Sequence, residues 1–139
     1  MPDEVTTQVV LDERPLSGRG RTTVLTLNWS AHDPLAVHLL IFATPDHPSL
    51  PRGRWVLLRD LLRHGLTEPV GDGDVRIRPA LRRDRVRLEL RGGPSTCGFT
   101  VPRRSLEEFL QATEDVVPAG AERTEHAIDA LIAGLLKEI

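Results

Sequence analysis

Alternation of apolar and polar residues runs through most of this chain, and it predicts strands. Val5 to Leu11 alternates over strand length. Thr22 to Trp29 sets Thr23, Leu25, Leu27 and Trp29 on one face against Val24 and Thr26 on the other, because successive strand side chains point to opposite sides. Leu16 to Arg21 between them is a Gly-containing turn. Asp33-Pro34 predicts a further turn, since a residue before proline avoids the helical region. Leu35 to Ala43 is an apolar run of strand length. Thr44 to Gly53 holds Pro45, Pro48 and Pro51 and reads as a loop, and Arg54 to Leu58 as a fourth strand.

The period then changes. Leu58, Leu61 and Leu62 repeat at helical spacing, and Gly65 suits a left-handed exit from a short helix. Glu68-Pro69 and Gly71-Asp72-Gly73 predict a double turn. Val75 to Ala80 and Arg85 to Arg91 return to alternation, with Val86, Leu88 and Leu90 on one side. Gly92-Gly93-Pro94 is a turn, and Thr96 to Val101 a further strand. Ser105 and Glu108 have capping-box spacing, which predicts the start of a helix carrying Leu106, Phe109 and Leu110 and ending at Val117-Pro118. A final amphipathic helix is expected after Thr124, with Ile128, Leu131, Ile132, Leu135, Leu136 and Ile139 on one stripe. Strands then helix, twice over, reads as a loose internal duplication. Such runs favour an α+β fold with two antiparallel sheets.

Composition narrows the class. The 139 residues fit one domain, and 40% hydrophobic residues can build a core. The single cysteine, Cys97, cannot form an internal disulfide, so nothing indicates an oxidising compartment. The opening MPDEVTTQVV, with early acids and no apolar stretch, does not read as a signal peptide, and no run approaches the roughly 18 apolar residues of a membrane span. The cytoplasm is the expected location.

The usual signs of catalysis are not found. His32, His38, His47, His64 and His126 sit at no metal-ligand spacing. Cys97 has no local nucleophile motif. Gly71 to Asp74 lacks the Gly-Lys ending of a phosphate loop and the distal acid of a calcium loop, so it reads as a tight turn. No catalytic residue, metal or cofactor is expected, and an enzyme is not.

Charge supplies the one surface feature. Arg76, Arg78, Arg82, Arg83, Arg85, Arg87 and Arg91 are opposed only by Asp84 and Glu89, so this segment carries +5 in a chain of net charge -2. Alternation puts Arg76, Arg78, Arg85, Arg87 and Arg91 on one face of a hairpin, which makes them the candidate interaction face. Two readings stay open. One is a site for an acidic partner or nucleic acid. The other is a solvated sheet face, or a subunit contact paired with acids such as Glu107, Glu108, Glu114 and Asp115. With three Phe, two Trp and no Tyr, nucleic acid is the less favoured partner, because single-strand binders stack bases on exposed aromatics.

Several ordered motifs carry a resemblance. They are Asp33-Pro34-Leu35-Ala36-Val37, Trp55 followed by Arg59-Asp60-Leu61-Leu62, and Gly71, Gly73, Asp74, Val75 and Arg76 in one stretch. Leu106, Phe109, Leu110 and Thr113 follow, then Val117-Pro118, Gly120 and Glu122. In this order they resemble the SsgA-like proteins, sporulation and cell-division regulators of actinomycetes. The resemblance implies a single domain over residues 22–139, with residues 1–21 a poorly matched N-terminal strand and turn. It implies antiparallel sheets with helices, similar to the whirly-type nucleic-acid-binding proteins, and a homo-oligomer, a trimer. It implies a non-enzymatic role at the division septum, with FtsZ or another SsgA-like protein as partner. The alternative is a single-stranded nucleic-acid binder of whirly-like fold. Gly, Pro and apolar motif positions of this kind mostly specify the fold.

Overall fold

The alternating segments pair into two four-stranded antiparallel sheets. The computed structural model describes residues 3–13, 21–42, 53–93 and 95–121. The first sheet has the order β1 (Glu4–Glu13), β2 (Arg21–Ser30), β3 (Asp33–Phe42) and β4 (Gly53–Leu58). The helix α1 (Arg59–His64) follows β4 without a connecting residue. The second sheet has the order β5 (Val70–Asp72), β6 (Val75–Pro79), β7 (Arg85–Gly92) and β8 (Ser95–Pro102), and α2 (Arg103–Val116) follows β8 in the same way. Each half is therefore a four-strand meander closed by a helix. The expected C-terminal helix with its Thr124 cap, the Leu16 to Gly20 part of the first turn and most of the Thr44 to Gly53 loop lie outside the described residues.

Parity decides which face is buried. In the first sheet Val9, Leu25, Leu27, Trp29, Val37, Leu39, Trp55 and Leu57 point inward. In the second sheet Val75, Ile77, Val86, Leu88, Leu90, Phe99 and Val101 do so. All of them belong to one hydrophobic cluster, together with Leu62, Leu106, Phe109 and Leu110 from the helices. Helix α1 packs on β3, β4 and β5, and α2 on β1, β2 and β8, so each helix touches both sheets. Burying such a side chain is worth about 1.5–3 kcal/mol. The shared cluster is thus the main force joining the halves.

Four local expectations are corrected. The first concerns Asp33-Pro34, which opens β3 instead of forming the turn; Ala31 and His32 turn the chain. A strand start accepts proline because its φ is compatible with extended backbone. The second is the double turn at Glu68 to Gly73, which contains the short strand β5. The chain bends at Glu68 and turns again at Gly73 and Asp74, with Gly73 at φ 57°, as the tight hairpin pairing Asp72 with Val75 requires.

The third concerns Gly65, whose φ of -64° is ordinary helical backbone. It is needed for space: a Cβ at this position would run into the Ile77 side chain and come within 3.2 Å of Val70 Cγ2. The fourth concerns α2, which starts at Arg103, with Pro102 at the cap position and no side-chain cap bond. Ser105 lies inside the first turn. Glu108 accepts from Arg104 at 2.8 Å and Glu107 from Arg103 at 2.8 Å, so the spacing serves pairs along the helix instead of a cap.

Candidate functional site

The motif residues fall into two structural groups and do not converge on one site. The first group ties elements together. Pro34 is buried, and its carbonyl accepts the Trp29 indole N–H at 2.9 Å. Trp55, on β4, donates its indole N–H to the Arg91 carbonyl on β7 at 2.8 Å, a direct link between the sheets. Arg59 opens α1 and is 3% exposed. Its guanidinium donates to the Val117 carbonyl at 2.8 Å, and at 3.4 Å to both Thr113 Oγ1 and the Pro118 carbonyl. It also lies 5.3 Å from the Trp29 ring centroid. One cation therefore binds the two carbonyls that immediately follow α2 and rests on an aromatic face. Leu61 is half-buried at the core margin and Asp60 is exposed. Arg63 and Glu114 add an ion pair of 2.5 Å between α1 and α2.

The second group lies on the outer face of the second sheet. Gly71, Arg76, Glu89 and Gly98 form one row across β5 to β8, and Arg78, Arg87 and Thr100 form the next. Arg85 and Arg91 extend β7 at either end of the same face. The sequence therefore places these five arginines on the face where the structure has them. Val75, beside Arg76, points to the core, and Asp33, Gly73 and Asp74 are exposed in or beside turns.

Arg78 and Arg87 are direct cross-strand partners. Like charges in that position repel, so the pair costs some stability. Its neighbours compensate it only loosely. Arg78 lies 3.8 Å from Glu89, and Asp84 is shared by Arg82 at 3.6 Å and Arg85 at 3.9 Å. Exposed pairs at such distances contribute little. Arg87 donates to Thr100 Oγ1 at 3.4 Å, and its guanidinium lies over Gly98, where a Cβ would collide with it.

Two depressions flank Arg78. One, of about 310 Å³, is lined by Arg78, Arg82, Arg85, Arg87 and Thr100 with Ala80 and Leu81. The other, of about 340 Å³, lies over Pro69, Val70 and Ile77 with Arg76, Arg78 and Glu89 at its edge. The four acids of α2 named above as possible partners of this face from another subunit are engaged within the chain. Glu107, Glu108 and Glu114 pair with Arg103, Arg104 and Arg63, and Asp115 accepts from Gln111.

The outer face of the first sheet differs in character. Gln8, Asn28, His38 and Arg54 stand among Val10, Val56 and Leu58, which are 61%, 51% and 51% exposed. Among the described residues no helix is long and apolar enough to cross a membrane, and no group of three or more His, Cys, Asp or Glu could hold a metal ion.

A twice-repeated four-strand meander and helix, with an arginine-rich outer face on the second sheet, defines a small duplicated α+β protein. Residues 24–122 match the family described as Streptomyces sporulation and cell division protein, SsgA, and the chain belongs to that family. It is 34% identical over 137 residues to the sporulation-specific cell division protein SsgB of Kineococcus radiotolerans, covering 96% of this chain and 80% of that protein. To SsgB of Streptomyces coelicolor it is 34% identical over 114 residues, 81% of this chain and 80% of that one. Its fold matches the crystal structure of an SsgA-like sporulation-specific cell division protein from Thermobifida fusca with a TM-score of 0.75. The two are 29% identical, and 94% of each chain is covered. It also matches a solved structure concerned with SsgB mutations that correlate to longitudinal cell division during sporulation of Streptomyces coelicolor. There the TM-score is 0.70 at 31% identity, over 87% of this chain and 94% of the other.

Proposed function

We propose that this protein is a non-enzymatic adaptor in sporulation-specific cell division, acting through protein–protein contact. The observation that carries the reading is the arginine face of the second sheet in a chain of the SsgA family. Arg76, Arg78, Arg85, Arg87 and Arg91 present five cations from β6 and β7 to an incoming surface. Opposite charge on a partner raises the rate of encounter and fixes its orientation. The partner in this reading is the tubulin-like division GTPase FtsZ or another SsgA-like protein. The adaptor works as a homo-oligomer, a trimer, in the cytoplasm and is recruited to the division septum. Its task there is septum-site selection, FtsZ positioning or spore-wall morphogenesis.

A pull-down with FtsZ and with a second SsgA-like protein, beside size-exclusion light scattering and a fluorescent fusion in sporulating cells, tests this. Capture of either partner, a trimeric mass and septal fluorescence are the expected results. A monomer spread evenly through the cytoplasm, capturing neither partner and with no division phenotype on deletion, would overturn it.

A further inference from the structure

We infer that the two depressions beside Arg78 form one docking site for an acidic–apolar segment of a partner protein, an inference that rests on the adaptor reading. In it, a carboxylate enters the four-arginine depression and the neighbouring apolar side chain enters the depression beside Pro69 and Val70.

Three observations carry this. Among the described residues, Arg78, Arg82, Arg85 and Arg87 line the first depression and no carboxylate does. Its neighbouring acids are Asp84, 64% exposed, and Glu89, 34% exposed, at 3.6–3.9 Å from Arg78, Arg82 and Arg85, so four guanidinium groups meet two loosely paired carboxylates and an excess of two positive charges remains. A carboxylate placed between Arg78 and Arg87 relieves their cross-strand repulsion and gains charge-assisted hydrogen bonds.

Next, the site is partly set in advance. Gly98 provides a floor on which the Arg87 guanidinium lies, and Thr100 Oγ1 accepts from it. A cation already held in place loses less freedom when a ligand arrives. Gly98 is thus a positioning residue for Arg87.

Last, the adjoining depression is lined by exposed Pro69 and half-buried Val70 where β5 begins, and it shares Arg78 as its wall. A segment crossing that wall meets cationic and apolar surroundings in turn. The face carries no aromatic side chain among the described residues, so bases have no platform to stack on. The charge therefore favours carboxylates on a peptide over phosphates on a nucleic acid.

The test uses the full chain and fluorescein-labelled probes: a short peptide of alternating Glu and Leu, its Gln–Leu analogue, and oligothymidylate. The Glu–Leu peptide is expected to bind at least about tenfold more tightly than the Gln–Leu one, with an affinity that falls as salt rises. The double variant Arg78→Gln with Arg87→Gln should lose about tenfold in Glu–Leu binding while unfolding no earlier than the parent, because a repulsive pair is removed. Gly98→Ala should reduce the Glu-over-Gln preference with an unchanged circular dichroism spectrum, and Arg104→Gln on α2 should change neither. Equal binding of the two peptides, full binding by the double variant, or displacement of the Glu–Leu peptide by oligothymidylate at lower concentration would each overturn the inference. A pull-down with the same double variant separates the two proposals. Undiminished partner capture sinks the docking site and leaves the adaptor reading standing, whereas no capture by the parent chain sinks the adaptor reading.

Discussion

Arg59 shows how much one side chain can organise. It is the first residue of α1, yet its acceptors are Thr113, Val117 and Pro118, at sequence separations of 54, 58 and 59. Replacing it with Met keeps the length of the side chain and removes every donor. The buried Val117 carbonyl then loses its partner, and an unpaired buried acceptor costs about 1–3 kcal/mol. With the weaker bonds included, Arg59→Met should destabilise the fold by about 2–4 kcal/mol, read as a lower urea midpoint at unchanged slope. A change under half a kilocalorie per mole would mean that the guanidinium contributes no net stability. This role is not legible in Arg59-Asp60-Leu61-Leu62, where helical spacing marks Leu62 as core and makes the arginine look like an ordinary surface residue. A buried cation declares itself only when distant carbonyls fold onto it.

At the scale of elements, alternation carried the reading well and local punctuation carried it less well. Parity separates Val86, Leu88 and Leu90 from Arg85, Arg87 and Arg91 without any tertiary knowledge, and the burial of β7 follows it. Turn and cap signals are weaker, because the same residues serve more than one purpose. Proline at position 34 lies at the start of a strand, and Ser105 is the third residue of α2 instead of its cap.

Gly65 is the clearest instance, and it can be tested. A left-handed exit tolerates Asn nearly as well as Gly. At φ -64°, with Ile77 and Val70 against the missing Cβ, size alone matters. Gly65→Ala should cost about 1–3 kcal/mol by overpacking, and Gly65→Asn more. Thermal melts of the two variants decide between the readings, since a left-handed site would rank Asn above Ala. The β5 strand escaped the sequence because three residues between Pro69 and Gly73 carry too short a pattern to register.

For the whole molecule, the two halves share one core, and ties that run across it hold them in register. Trp55 reaches from β4 to β7, Arg59 from α1 to the end of α2, and Arg63 from α1 to Glu114. The halves should therefore unfold together despite their repeated plan. Far-UV circular dichroism and the fluorescence of Trp29 and Trp55 should give coincident midpoints in urea. Separated midpoints would show that each meander with its helix is stable alone. The sequence announces the repeat through its order of periods, but not the ties, because they join residues that no local window contains. The candidate surface was half legible. The arginine face follows from parity, while the Gly98 floor and the two depressions depend on how β8 and β5 flank it.

The two halves bury equivalent faces and expose unlike ones. The outward side of β1 to β4 mixes Val10, Val56 and Leu58 with Gln8, Asn28, His38 and Arg54, and the outward side of β5 to β8 is arginine-rich. A molecule of this kind has a front and a back. Any array in which copies share one orientation inherits that polarity, so its two surfaces recruit from different sets of molecules. The repeat thus supplies the difference between one side of a layer and the other before any partner has arrived.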